Sequence, residues 1–326
     1  MISKSQSVVA VIIGRNEGGR LIRCLDAVSK FTTKLIYVDS ASVDDSVKEA
    51  SKRGAHIVLL DMTKPFTAAR ARNAGFEKAY ALFSDTEFVQ FIDGDCEVLA
   101  GWLETSVSFL QKNPQIAVVS GELNERFPEK SIYNMLCNIE WKMPVGEVKS
   151  CGGNALMRVK AFKEADGFMD TLIAGEEPEL CVRLRQKGWK IWHLDNDMML
   201  HDANMIHLSQ WWKRAVRGGY AFAEGSYLHG AAPEFHWVAE SRRAWVWGAI
   251  LPAIILIIGF LNWKFSLLLF LIYPLQICRL ALKEKHLQKW LLAAHLVLSK
   301  FPEAIGQIEF YKRRFFGKKI TLIEYK

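Results

Sequence analysis

FIDGDCEV, residues 91–98, puts two aspartates one residue apart, with a glycine between them, at the end of an apolar run. A run of this kind reads as a buried strand, so Asp93 and Asp95 stand at the turn that leaves it. Carboxylates are hard oxygen ligands, and at such a turn they can hold Mg2+ or Mn2+ against a diphosphate. The same letters also spell an ordinary Asp-Gly turn, and only the surrounding sequence decides between the two.

Upstream lie three more short runs rich in β-branched and aromatic residues, SVVAVIIG (7–14), KLIYVDS (34–40) and HIVLLD (56–61), before EFVQFID (87–93). Helix-like segments such as EGGRLIRCLDAVSK and SVDDSVKEASKRGA separate them. Strands alternating with helices predict an α/β domain built on a parallel sheet with crossover helices, and ligands of such sheets bind at the carboxyl ends of the strands. The residues found there are Arg15-Asn16-Glu17, Asp39-Ser40 and Asp93-Gly94-Asp95. Acidic groups dominate. No G-x-G-x-x-G follows the first strand and no G-x-x-x-x-G-K-[ST] occurs, which argues against a dinucleotide dehydrogenase and a P-loop NTPase.

At 326 residues the chain exceeds the usual size of a single core, so a large domain with an appendage, or two domains, is expected. Its mean hydropathy of +0.05 lies above that of a purely soluble enzyme and below that of a polytopic transporter. Lys and Arg exceed Asp and Glu by 42 to 35, and residues 283–326 alone hold ten basic and four acidic residues, leaving the rest of the chain nearly neutral. A basic end of this sort predicts contact with an anionic surface and no nucleic-acid partner. The six cysteines form no C-x-x-C pair and no zinc-finger spacing, which fits a reducing compartment. The start of the chain is short and polar before the first apolar run, so no secretory signal peptide is expected.

Organisation changes near residue 240. AWVWGAILPAIILIIGFL (244–261) carries no charge, and FSLLLFLIYPLQICRLAL (265–282) carries only Arg279. Flanked by Trp245, Trp247, Trp263 and then KEKHLQK, the two runs predict a transmembrane hairpin whose ends lie on the cytoplasmic side. Beyond it Leu287, Trp290, Leu291, Ala294, Val297, Phe301, Ile305 and Ile308 recur at helical spacing, with Lys289, Lys300, Gln307 and Lys312 elsewhere on the wheel. This predicts an amphipathic helix broken at Phe301-Pro302, and KRRFFGKK (312–319) favours a place among lipid headgroups over packing on the soluble domain. The expected division is a catalytic domain over 1–230 and a membrane-associated region over 231–326.

VVAVIIGRNEGGRLIRCLDAV, LIYVDSASVDDSV, FTAARARNAG, FIDGDCEVLAGW, CGGNALMRVKAF, GEEPELCVRLRQKGW and LHDAN, in this order, resemble the family 2 glycosyltransferases over roughly residues 7–230. The resemblance implies the GT-A fold, which binds nucleotide sugars. It implies that Asp39 hydrogen-bonds the nucleotide base, with Arg15 and Glu17 near base and ribose and Arg70 and Arg72 facing the nucleotide or its phosphates. An Asp carboxylate accepts the N–H of uracil, so a UDP-sugar is favoured over GDP- or dTDP-sugars. Asp93 and Asp95 become donor-ribose and metal ligands for Mg2+ or Mn2+, Asp95 the more direct, and His201 supplies a further ligand.

The same resemblance places the general base at Glu176-Glu177, where the family usually has Glu-Asp; Glu177 is favoured, and the choice within the pair stays open. Cys151-Gly152-Gly153-Asn154 would form the acceptor loop, with Gly153 and Asn154 nearest the acceptor. Lys213, Arg214 and Arg217 would bind a lipid diphosphate. Gln210-x-x-x-Arg214 departs from the Q-x-x-R-W of processive synthases, so transfer of a single sugar is expected. The reading is an inverting, metal-dependent, inner-membrane enzyme that uses a nucleotide sugar on the cytoplasmic face to glycosylate a lipid-linked acceptor in cell-surface glycan biosynthesis. The alternatives are a polyprenyl-phosphate monosaccharide synthase and a non-catalytic nucleotide-sugar-binding membrane scaffold.

Overall fold

The computed structural model describes residues 7–317 and divides into two compact units, the first ending at Ile206 and the second beginning at His207. The first unit is built on one mixed sheet: β1 (Val8–Gly14), β2 (Leu35–Asp39), β3 (His56–Leu59), β4 (Phe88–Asp93), β5 (Cys96–Val98), β6 (Ile116–Glu125), β7 (Gly146–Glu147), β8 (Ala155–Arg158) and β9 (Lys190–His201). The strand order is β3-β2-β1-β4-β8-β6-β9-β5, with β7 also on β9. β3, β2, β1 and β4 run parallel, as expected of the four runs read from sequence. β8 is antiparallel to β4 and β6, β9 is parallel to β6, and β5 and β7 are antiparallel to β9.

Both faces of the central strands are covered. Val9, Val11 and Ile13 of β1 pack into one apolar layer and Val8, Ala10 and Ile12 into the other. This is the continuous hydrophobic run of a strand buried on both sides. The Ala68–Leu82 helix starts at Thr67, whose side chain accepts from the Arg70 N–H, and packs against the sheet through Gly75. A Cβ there would lie 2.4 Å from Val11 Cγ1 and 2.8 Å from Val38 Cγ2, so the glycine of FTAARARNAG sets how closely this helix approaches. β9 is 12 residues long, and its register against β6 shifts between Ser120 and Glu122. Past that irregularity its last three residues pair with β5, which brings His201 opposite Cys96.

The division falls at Ile206, earlier than the expected boundary at residue 230, because the Leu208–His229 helix packs with the helices that follow it. That helix opens with a reciprocal cap between His207 and Gln210. Two helical stretches, Val238–Leu261 and Trp263–Lys283, are long and apolar enough to cross a membrane, and only 11% of the most apolar window of each is buried. They enclose the expected spans 244–261 and 265–282. Asn262 alone separates them and caps the second by accepting from the Phe265 N–H at 3.2 Å. Within the pair, Ser266 donates to the Ile255 carbonyl at 2.8 Å and Tyr273 to the Trp247 carbonyl at 2.8 Å.

The end of the chain departs from expectation. The expected break is present but falls at Ser299, between the helices Lys289–Leu298 and Lys300–Phe316, and not at Phe301-Pro302, which leaves Pro302 in the first turn of the second helix where its missing N–H costs nothing. The second helix buries Pro302, Glu303, Ala304, Gly306, Gln307 and Phe310 inside its own unit, so it is not free to lie wholly among headgroups. Gln307, read as part of the polar face, is buried and exchanges hydrogen bonds with Ser241. Gly219 and Gly306 make the crossing with the Leu208–His229 helix: a Cβ on either would sit about 2 Å from the other helix's backbone, 2.0 Å from the Glu303 carbonyl and 1.9 Å from the Val216 carbonyl. Arg313 and Arg314, expected at headgroups, lie over the rings of Tyr220 and Tyr227. Lys318 and Lys319 lie outside the described residues.

Candidate active site

The carboxyl ends of β1, β2 and β4 lie side by side, and the loop leaving each carries a carboxylate. The turn after β4 is pinned to β1: the Gly94 N–H donates to the Ile13 carbonyl at 2.8 Å, and a Cβ on Gly94 would stand 3.1 Å from that oxygen and 3.2 Å from Glu17 Cγ. Any side chain between the two aspartates would therefore press on the neighbouring strand. This pinning separates the two side chains.

Asp95 turns inward. It is 4% exposed, and its Oδ2 stands 3.1 Å from His201 Nε2, brought there by the β5–β9 pairing. Trp141 stacks on the His201 ring at 4.6 Å between centroids, holding its plane. Asp95, Cys96 and His201 present ligand atoms close enough to share one ion. Adjacent ligands on an octahedral ion with bonds of about 2.1 Å stand about 3 Å apart, so the spacing of Asp95 and His201 fits Mg2+ or Mn2+. Burial pushes the Cys96 thiol well up, with the charge of Asp93 adding to it, so it stays protonated and leaves the oxygen and nitrogen as donors.

Asp93 faces the other way. Its Oδ1 accepts from Arg72 Nη2 at 2.7 Å, its Oδ2 from Asn154 Nδ2 at 3.3 Å, and its own N–H donates to Asn154 Oδ1 at 2.7 Å. Arg72 is buried and divides its charge, donating also to Glu176 Oε1 at 2.6 Å. Burial alone would lower the pKa of this guanidinium, but Asp93 and Glu176 outweigh it and raise it further. Gly153 lies against the same guanidinium: a Cβ would stand 2.6 Å from Arg72 Nη2. Arg72, Asp93, Gly153, Asn154 and Glu176, separate in the sequence, thus form one cluster.

Glu177 is not part of that face. Its Oε1 accepts from the Cys151 N–H at 2.6 Å, from Cys151 Sγ at 3.0 Å and from Cys181 Sγ at 2.9 Å, and the residue is 4% exposed. Burial raises its pKa, which the thiol and N–H donors only partly oppose. Burial also pushes the Cys181 thiol up to about 11. The favoured base of the sequence reading therefore sits in a closed pocket, and Glu176 is the member of the pair that reaches the Asp93 cluster.

The other candidates are distributed as follows. Asp39 is 2% exposed; the Tyr37 hydroxyl donates to its Oδ1 at 3.0 Å and the Ser42 N–H to its Oδ2 at 2.8 Å, so it holds the turn into the next helix. Glu17 pairs with Arg20 at 2.7 Å, and Arg15 stacks over Phe66 at 4.9 Å. Arg70 stands apart from the cluster: it donates to the carbonyls of Asp61, Lys64 and Pro65 and secures that loop. Arg214 and Arg217 belong to the Leu208–His229 helix of the second unit. The sequence reading missed Trp141 and the thiol pair; no spacing marks a ring that stacks on a histidine sixty residues on.

A parallel half-sheet continued by antiparallel strands, with an Asp-x-Asp turn at the carboxyl edge and a histidine returned to it by a late strand, is the arrangement expected of the GT-A fold. Residues 9–165 match the sequence model of glycosyl transferase family 2, and the chain carries a family 2 glycosyltransferase domain over that stretch. It is similar to the O-antigen chain rhamnosyltransferase of Salmonella typhimurium, 23% identical over 285 residues, covering 78% of this chain and 88% of the relative. It is also similar to the pre-mycofactocin glycosyltransferase of Mycobacterium tuberculosis, 27% identical over 235 residues; 66% of this chain aligns with 47% of that one, so it spans about half of that relative. Among solved structures, the mannosyltransferase from Pyrobaculum calidifontis in complex with GDP-Man and Mn2+ superposes with a TM-score of 0.57 at 17% identity, covering 98% of this chain and 90% of the other. That likeness concerns the fold.

Proposed function

We propose that the chain transfers one sugar, with inversion, from a nucleotide-sugar donor to a membrane-held, lipid-linked acceptor in cell-surface polysaccharide biosynthesis, with a divalent ion and on the cytoplasmic face of the inner membrane. The observation that carries this reading is the split of the Asp-x-Asp turn: Asp95 paired with His201 at 3.1 Å, Asp93 tied to Arg72 and Glu176. Asp95 and His201, which face each other, would hold Mg2+ or Mn2+, which when bound neutralises charge on the leaving diphosphate, while Asp93, expected beside them, is turned to Arg72 and stands on the donor side. Asp39, Glu17 and Arg15 surround the base and ribose at the ends of β1 and β2. A carboxylate at Asp39 accepts the ring N–H of guanine as readily as that of uracil, so the earlier preference for UDP has no support, and the mannosyltransferase of the same fold was solved with GDP-Man.

Single displacement needs one general base on the acceptor side. Glu176 takes that role in this reading, because its side chain keeps 12% exposure and shares Arg72 with Asp93, whereas Glu177 is enclosed by thiols. Gly153, whose missing side chain lets the Arg72 guanidinium pack against its backbone, belongs to the loop on the acceptor side; Asn154 positions Asp93. The two apolar helices supply the membrane attachment, and Lys213, Arg214 and Arg217 the cations for a lipid diphosphate. The test is a thermal-shift panel of UDP-, GDP- and dTDP-sugars with Mn2+ or with EDTA, followed by transfer of the best donor to membrane lipid extract. Metal-dependent binding and a labelled lipid product are expected. Equal shifts with and without EDTA would remove the metal, a monosaccharide phospholipid product would point to a polyprenyl-phosphate synthase, and binding without turnover would point to a scaffold.

A further inference from the structure

Cys151 and Cys181 are buried, do not touch the Asp93 cluster and have no part in the chemistry above, yet both thiols point at one oxygen. Cys151 Sγ lies 3.8 Å from Cys181 Sγ, and each sulfur is about 3 Å from Glu177 Oε1, at 3.0 and 2.9 Å. The Cys151 N–H reaches the same oxygen at 2.6 Å. A shared metal ion is the first explanation to weigh, since the three residues could ligate one. The sulfur–sulfur distance of 3.8 Å would suit two thiolates on a tetrahedral ion, but the sulfur–oxygen distances oppose it. A thiolate at about 2.3 Å and a carboxylate oxygen at about 2.0 Å from one tetrahedral zinc stand about 3.5 Å apart. Shorter contacts to an oxygen already occupied by an N–H are hydrogen bonds from two protonated thiols.

The place of this knot matters more than its members. Cys151 begins the loop that continues through Gly152, at φ 74°, and Gly153 to Asn154, and Asn154 is bonded twice to Asp93. Glu177 follows Glu176, which is bonded through Arg72 to the same Asp93. The contacts therefore close a ring: Asp93 to Arg72, to Glu176, along the chain to Glu177, across to Cys151, along the loop to Asn154 and back to Asp93. Cys181, one turn below Glu177 on the Glu176–Gln186 helix, adds the third donor to the same oxygen and with it fixes the Glu177 rotamer.

We propose that Cys151 and Cys181 are positioning residues for sugar transfer: by donating to Glu177 they lock the start of this helix so that the Glu176 carboxylate and the Gly152–Asn154 loop are held at the acceptor side. The inference rests on Glu176 being the base. It assigns Glu177 the part of a hydrogen-bond acceptor whose charge is not needed.

The test uses the full chain in membranes, with nucleoside diphosphate release from GDP-mannose, dTDP-rhamnose and UDP-galactose in the presence of Mn2+ and lipid extract as the probe, and Mn2+-dependent GDP and UDP affinity as the second readout. Cys181→Ser and Cys151→Ser keep a donor and should hold kcat within a few fold of the parent chain. Cys181→Val removes the donor at similar volume and should lower kcat about tenfold or more, with nucleotide affinity unchanged. Glu177→Gln, which still presents a carbonyl oxygen to the same donors, should stay within about tenfold of the parent and guards against a valine variant that fails to fold. Cys181→Val as active as Cys181→Ser would overturn the proposal, as would equal losses in both, or stoichiometric zinc in the purified protein that disappears with either serine. Should none of the donors be turned over by the parent chain, transfer itself fails as a reading, separately from the role of the thiols.

Discussion

Asp93 and Asp95 are one residue apart on a turn, Glu176 and Glu177 are neighbours on a helix start, and in both places the two carboxylates go separate ways. On the turn, the pinning of Gly94 to β1 sends Asp95 inward to His201 and Asp93 outward to Arg72. On the helix, the roughly 100° step between successive residues sends Glu176 to Arg72 and Glu177 into the core beside Cys151 and Cys181. One arginine collects one member of each pair. An acidic doublet in a sequence thus marks a place where charge is wanted, while the backbone between the two residues decides which of them receives the chemistry.

The comparison breaks most visibly at the helix. Glu176→Gln should lower transfer roughly 10²–10⁴-fold with nucleotide affinity nearly unchanged, and Glu177→Gln should not; steady-state kinetics on both variants checks this, and the opposite pattern would return the base to Glu177. The shared arginine comes next. Arg72→Met leaves Asp93 and Glu176 facing each other without a cation, and breaking a buried ion pair from one side costs about 3–5 kcal/mol. Denaturant unfolding measures it, and a loss under about 1 kcal/mol would show that the two carboxylates do not depend on Arg72.

On the turn, Asp95→Asn should remove most Mn2+-dependent nucleotide affinity and about 10²–10³ of the turnover, whereas in EDTA the variant and the parent chain should bind nucleotide alike; a difference that persists in EDTA would assign Asp95 a role without metal. The smallest effect concerns a carboxyl that belongs to no pair. Glu224 has its pKa raised from 4.5 to about 7 by burial, with Arg313 opposing, and its Oε2 has no hydrogen-bond partner among the described residues. Because the folded value lies above the unfolded one, the stability it contributes is full below about pH 4.5 and is lost as pH rises through about 7. Glu224→Gln should match the parent chain at acid pH and exceed it by about 1–3 kcal/mol above neutrality; pH-dependent melting of both would expose the error if the two curves ran parallel.

Legibility followed periodicity. β1, β2 and β4 announce themselves as uninterrupted apolar runs because both their faces are covered, β3 shows only a short apolar run at the exposed edge of the sheet, and the two apolar helices are marked by charge-free length. The remaining strands are two to twelve residues long and mix polar with apolar positions, since they lie where the sheet stops being parallel. Asp93, Asp95 and His201 were readable as a motif in order. The bond from Asp93 to Glu176 was not, since it runs through Arg72, 104 residues from Glu176 and expected at phosphates. The surroundings of Glu177 were not readable for a physical reason: a longer side chain was taken as greater reach, and the thiols that bond to it come from two separate segments.

The glycine crossing in the second unit has a practical corollary for anyone shortening this chain. Removing the Lys300–Phe316 helix would strip the partner from the Gly219 surface of the Leu208–His229 helix and leave Tyr220 and Val216 bare to water. A fragment trimmed just ahead of the apolar helices, near residue 237, would carry that orphaned helix as a sticky appendage. Trimming at Ile206 sheds it whole, and such a fragment should stay monomeric on a sizing column where the longer one aggregates.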